Sequence, residues 1–176
     1  VEPENMKMKG IQLRNCDDVT IEDVVISDLS GALGQMALGI GVSLSDGLTL
    51  SSVEISGLTA YEGGVAIGVD LFEQTGAITF TDLRISGLVG GSQSAPAGEP
   101  LADVGAAIGL DVITKGEGST DPVVMRDIHI SDLQAGATID PEAPVYASGI
   151  RVFTGRPLAI RHVRRGRAAS SAAPRP

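Results

Sequence analysis

What this sequence lacks excludes several protein classes. Its 176 residues include no tryptophan, three phenylalanines and two tyrosines, so any interior has to be built from aliphatic side chains. One cysteine, Cys16, rules out an intrachain disulfide. It serves as a small buried hydrophobe or as an exposed thiol, and no partner supports a catalytic role for it. No apolar run is long enough for a transmembrane helix, and no signal peptide is recognisable. Walker, dinucleotide-binding, zinc-ligand and nucleophile-elbow patterns are absent, as are calcium-binding nonapeptides. Acid is missing from the end of the chain. All 22 acidic residues lie within residues 1–150, beside six lysines and arginines, whereas residues 151–176 hold seven arginines and no acid. An acidic body disfavours nucleic acid and suits an extracellular or cation-binding surface. The chain starts at Val1 and enters a repeat almost at once, which is expected of a fragment or processed product.

What is present is a phrase said five times. Its first run reads Gly10-Ile11-Gln12-Leu13, then Gly41-Val42-Ser43-Leu44, Gly68-Val69-Asp70-Leu71, Gly109-Leu110-Asp111-Val112 and Gly149-Ile150-Arg151-Val152. The second is Val19-Thr20-Ile21, Leu48-Thr49-Leu50, Ile78-Thr79-Phe80, Val123-Val124-Met125 and Leu158-Ala159-Ile160. The third runs from Val24, Val53, Leu83 and Ile128 to Ser27, Ser56, Ser86 and Ser131, and each is followed by a leucine. Alternation with period two marks strands with one buried face. Such short runs cannot stand alone as sheets. The two-residue joints at Asp23, Ser52, Asp82 and Asp127 suit corners better than hairpins. Each strand should therefore pair with its counterpart in the next repeat, giving an all-β parallel solenoid.

Corresponding residues Ile26, Ile55, Ile85 and Ile130 are separated by 29, 30 and 45 residues. The surplus lies in two Gly/Pro/Ser-rich segments, 89–100 and 114–122, expected to project as surface loops. The pattern spans residues 1–164. From Arg165 it fails, and residues 165–176 form a basic low-complexity tail expected to be disordered. A linker, an arm docking on the acidic body, or a change of reading frame would each account for that tail.

The phrase at residues 10–27, Gly-Ile-x-Leu-x-Asn-Cys-x-x-Val-Thr-Ile-x-x-Val-x-Ile-Ser, resembles the pectin-lyase-like right-handed parallel β-helices, over residues 8–164. The resemblance implies about five right-handed coils belonging to a larger solenoid. It also implies a secreted or cell-surface protein directed at polysaccharide, by binding or by lyase- or hydrolase-type cleavage. The superfamily includes non-catalytic scaffolds and adhesins too, so a structural surface role is the alternative. Asn ladders common at the second corner of such coils are replaced by Asp23, Ser52, Asp82 and Asp127. Stacked Asp82 and Asp127 would repel unless a cation or solvent intervened.

Outward columns are where chemistry would gather. On the first sheet the expected column is Gln12, Ser43, Asp70, Asp111 and Arg151. The resemblance makes Asp70, Asp111 and Arg151 the catalytic candidates, acids on this sheet acting as acid/base or calcium ligands and an arginine as base. Calcium at Asp70 and Asp111 would need further oxygens, for which Glu73 is nearby; a solvated face with Arg151 compensating Asp111 is the plain alternative. Gly10, Gly41, Gly68, Gly109 and Gly149, with Gly39, Ala66, Ala107 and Ala147, read as a bare outward face. A loop or partner packing closely there, or a groove for an extended ligand, would explain it. The column Thr20, Thr49, Thr79 is interrupted by Val124 and Ala159, so ordinary β-propensity explains it better than ice binding. The column Ser27, Ser56, Ser86, Ser131 suits local hydrogen bonds at the turns. His129 and His162 have no triad context and read as surface residues.

Overall fold

A computed structural model describes residues 8–61, 63–91, 105–115, 120–136, 146–166 and 168–170. Residues 92–100 and 116–119 of the expected loops, and Arg167 and residues 171–176 of the basic tail, lie outside the described residues. Among the described residues are thirteen strands and no helix, hence none long and apolar enough to cross a membrane. In chain order they are β1 (Met8–Arg14), β2 (Asp17–Ser27), β3 (Ser30–Leu33), β4 (Ala37–Ser43), β5 (Asp46–Ser56), β6 (Thr59–Tyr61) and β7 (Ala66–Val89). β8 (Ala107–Thr114), β9 (Val123–Ala135), β10 (Ala147–Phe153), β11 (Leu158–Arg161), β12 (Arg164–Arg165) and β13 (Ala168–Ser170) complete the set.

The strands pair in parallel, repeat against next repeat, in a curled sheet. The first runs join in the order β1–β4–β7–β8–β10. The second and third runs join as β2–β5–β7–β9, with β11, β12 and β13 laid along β9. Ile21, Leu50, Phe80, Met125 and Ile160 are successive partners, so one apolar rung follows another through all five repeats. Leu50, Phe80 and Met125 are fully buried in a single aliphatic cluster that continues from Ile21 to Leu133. Burial of this interior drives the stacking, because a lone repeat would leave both its faces to water.

Corners are made by left-handed backbone. Asp23, Ser52, Asp82, Asp127 and His162 all take φ between 50° and 55°. The next corner carries Asp28, Gly57, Gly87 and Asp132, and an earlier one Asp18, Gly47 and Gly76, again all at positive φ. This region costs most L-residues about 1–2 kcal/mol but is open to glycine and tolerated by Asp and Asn. That explains why aspartate and glycine exchange freely there. The expected repulsion between Asp82 and Asp127 is relieved separately at each residue: Asp82 meets Arg84 at 3.0 Å and Asp127 meets the His162 ring at 3.3 Å. His162, expected only as a surface residue, thus supplies the fifth of these corners.

The glycine column faces inward, correcting the expected bare outer face. A Cβ on Gly39 would lie 2.5 Å from the Gly68 carbonyl oxygen and 2.8 Å from Ile55 Cγ2. Gly68 meets Gly109 and Ile85, and Gly109 meets Gly149 and Ile130, in the same way. Ala37, Ala66 and Ala107 beside them are core residues. What packs against these glycines is the chain's own interior, so neither a partner nor an extended ligand reaches them. In the second repeat this column passes through Gly39, not Gly41.

The first corner is closed by polar groups. Gln74, wholly buried, donates from Nε2 to the carbonyls of Val42 (2.6 Å) and Phe72 (3.1 Å). Ser45 donates to the Ser43 carbonyl and accepts from the Cys16 amide, both at 3.1 Å. Half-buried Cys16 points its Sγ at the Arg14 carbonyl, 3.4 Å away. Arg156 inserts its buried guanidinium from the fifth repeat and donates to the carbonyls of Gly76, Gln74 and Lys115. Pairing also continues beyond Arg164, where the sequence pattern breaks: Arg165 partners Ile130, and Ala168–Ser170 partner Leu133–Ala135.

Two outcomes test this account. Gly68→Ala should cost about 1–3 kcal/mol by overpacking, whereas Gly149→Ala, with nothing within 4 Å of its Cβ position, should leave the urea midpoint nearly unchanged. Arg156→Ala should cost about 2–3 kcal/mol through lost charge-assisted hydrogen bonds. Arg156→Lys should not restore the midpoint, since one ammonium cannot reproduce the fork.

Candidate functional site

Parallel pairing brings the predicted site residues into one column. Asp70 partners Asp111, and Asp111 partners Arg151. On the other side Asp70 partners Gly41, which partners Gln12. Ser43, expected in this column, pairs instead with Arg14 and Phe72. The second repeat begins two residues earlier than its wording suggests, at Gly39-Ile40-Gly41-Val42. A shift of two preserves which side chains face inward, so alternation alone cannot detect it. Leu44, read as an inward aliphatic, consequently lies at a corner with φ 53° and is exposed.

The outer face of this sheet carries its own apolar cover. Leu38, Ile67, Ala106 and Ile108 form a second buried cluster, with Met36, Val65 and Tyr146 packed against it. Beside this patch Asp111 is only 4% exposed. Burying a carboxylate demands a partner, and the Arg151 guanidinium supplies it through a short ion pair. Arg151 also donates to the Tyr146 hydroxyl, and its guanidinium carbon stands 5.8 Å from that ring's centroid. Asp111 Oδ1 has no hydrogen bond among the described residues. Tyr146 escaped the sequence reading because it lies outside the repeated phrase, one residue before β10.

Asp70 is less enclosed and differently placed. Its carboxyl is raised above the ordinary aspartate range, first by burial and then by the Asp111 charge, with Arg151 and Lys9 opposing. It borders a cavity of about 160 Å³ whose walls include Lys9, Gln12, Leu38, Ser43 and Phe72. Phe72 is 47% exposed although it is one of only three phenylalanines. Two residues on from Asp70, it shares the outward face. It was missed because it lies one residue past the aligned run Gly68–Leu71, although Ile113 and Phe153 at the same place in the next repeats are also apolar.

The three candidates thus adjoin one another but are not equivalent. Asp111 and Arg151 neutralise each other under cover, while Asp70 faces the cavity. A calcium ion between Asp70 and Asp111 would have to approach a carboxylate already holding a guanidinium. Among the described residues no group of three His, Cys, Asp or Glu side chains is arranged to hold a metal ion. The calcium expectation therefore gains no support from this geometry. His129 is exposed on the second sheet between partners Arg84 and Arg164, away from this column. No protein-family model, curated protein or solved structure matches the chain.

The raised Asp70 carboxyl makes stability pH-dependent. Folded Asp70 holds its proton to higher pH than unfolded Asp70, which titrates near about pH 4. Between those two values the native state binds more protons, so this residue's contribution falls as pH rises and reaches its minimum above the folded value. Asp70→Asn should therefore raise the urea midpoint relative to wild type at pH 7, and this advantage should shrink progressively at pH 5 and pH 3.5.

Proposed function

We propose that the chain folds as a right-handed parallel β-helix of the pectin-lyase-like kind and binds a polysaccharide along the outer face of its first sheet. The in-register parallel repeats and the left-handed corners support the fold reading. The observation that carries the function is the cavity in which exposed Phe72 stands beside Asp70, Gln12, Ser43 and Lys9. A sugar ring presents an apolar C–H face and a rim of hydroxyls. Phe72 suits the first, and these polar groups suit the second. Asp111 and Arg151 hold the floor of the column and act as positioning residues.

Binding fits this arrangement better than cleavage. Glycoside hydrolysis commonly requires two carboxyl groups that both reach substrate, and Asp111 is covered. A lyase base would require a guanidinium available to substrate, and Arg151 is held by Asp111 and Tyr146. An extracellular or cell-surface setting follows from the ligand class and the acidic body. A structural or adhesive scaffold is the second reading, favoured by the apolar edges at both ends of the stack.

Calorimetry against neutral and acidic polysaccharides, with and without Ca²⁺, tests the proposal. At least one should bind, Phe72→Ala and Asp70→Asn should each weaken it about tenfold or more, and Thr49→Ala on the second sheet should not. Absence of binding across the panel, or wild-type affinity in Phe72→Ala, would sink the saccharide site. New reducing ends or unsaturated products would overturn the non-catalytic reading.

A further inference from the structure

The outward side chains of the first sheet form rows across its strands, and one place in those rows is empty. Gln12, Gly41, Asp70, Asp111 and Arg151 are successive partners, so Gly41 alone brings no side chain. The fold does not demand this glycine. Gly39 and Gly68 need theirs because a Cβ would strike a carbonyl oxygen, whereas a Cβ on Gly41 would meet only the Leu38 side chain, 2.8 Å from Cδ2. Gly41 lies within β4 and its φ is not positive. What the missing side chain leaves is space, and Gly41 lines the cavity of about 160 Å³ beside Asp70.

Strand spacing gives this gap its size. Gln12 and Asp70 stand on strands two spacings apart, roughly 9.6 Å. The cavity holds about half of the roughly 300 Å³ at which ligand pockets usually begin, room for one sugar ring and not for a run of them. Its two ends differ. Leu38 and Met36 of the outer apolar cluster close one, while Ser43 and its partner Phe72 flank the other. Lys9, the partner of Leu38, turns its ammonium to the Gln12 side chain. A hydroxyl directed at Leu38 and Met36 would therefore give up water for apolar contact, at a cost. A methyl group there would bury apolar surface, at a gain. Repeats added at either end of the stack would lengthen these rows without covering them.

We propose that the site seats a single 6-deoxy sugar residue over Gly41, its methyl group against Leu38 and Met36. Phe72 takes an apolar face of the ring, and Gln12 and Asp70 take its hydroxyls from opposite sides. This rests on the saccharide reading and narrows it to one residue class, at a chain end or a branch, where one ring can enter alone. Gly41 is then the specificity-determining position, since any side chain there would occupy the seat.

Ligand-observed NMR titration of the full chain tests it, with methyl glycosides of glucose, galactose and mannose beside their 6-deoxy counterparts of the same handedness. In at least one pair the deoxy sugar should bind about tenfold or more tightly than its parent, the scale set by one hydroxyl at an apolar wall. Gly41→Val, with unchanged circular dichroism, should abolish that binding. Met36→Gln offers the extra hydroxyl a partner and should erase the preference within the pair while binding persists. Parents that bind as tightly as their deoxy counterparts, or wild-type affinity in Gly41→Val, would overturn this inference and leave the saccharide reading standing. Binding by none of the six sugars would overturn it too, and the polysaccharide panel then decides the broader reading separately.

Discussion

The structure depends on one constraint: every position must tolerate its own equivalents about 4.8 Å above and below, the spacing of paired strands. Apolar positions meet it easily, and Ile21, Leu50, Phe80 and Met125 simply add layers to a common interior. Backbone positions meet it through glycine where the next repeat's carbonyl and an isoleucine close in. Charged positions meet it only with help. Asp82 meets the Arg84 guanidinium, Asp127 meets the His162 ring, and Asp111 receives a guanidinium from the repeat beyond it.

This constraint also shapes the candidate site. Adjacent Asp70 and Asp111 cannot both hold a full charge cheaply. The chain separates their roles by environment: Arg151 pairs with Asp111 under an apolar cover, while Asp70 keeps its proton more readily and faces a cavity. The outer patch of Leu38, Ile67 and Ile108 contributes by removing water from one side of the column. A column of like residues thereby becomes a site with a buried support and an accessible head.

Much of the architecture was legible in the sequence because period two and repeat spacing are direct images of strand geometry. The rungs and the positions of the corners follow from those patterns. Two features stayed hidden for physical reasons. The start of the second repeat slipped by two residues because Gly39-Ile40 and Gly41-Val42 offer equally good beginnings on the same face. The glycine column read as outward because alternation breaks there: Ala37 and Ile40 both enter the core while Leu38 turns out. In the site, the column Asp70, Asp111, Arg151 was visible by alignment. Phe72 and Tyr146 were not, since each lies just outside the aligned run, and buried Arg156 looked like one more member of a basic terminus.

The mixed corners carry a consequence for heredity. Aspartate and glycine, as at Asp18, Gly47 and Gly76, are one nucleotide apart in the genetic code; so are aspartate and asparagine, and asparagine and serine. All four appear in the left-handed backbone of this chain. Point mutation can rewrite those bends along a connected path while the parallel pairing is kept. The crowded column of Gly39, Gly68 and Gly109 has no such path, because every change from glycine adds at least a carbon where a carbonyl already lies. Descendants of this chain should therefore diverge quickly at their bends and hardly at all along that line.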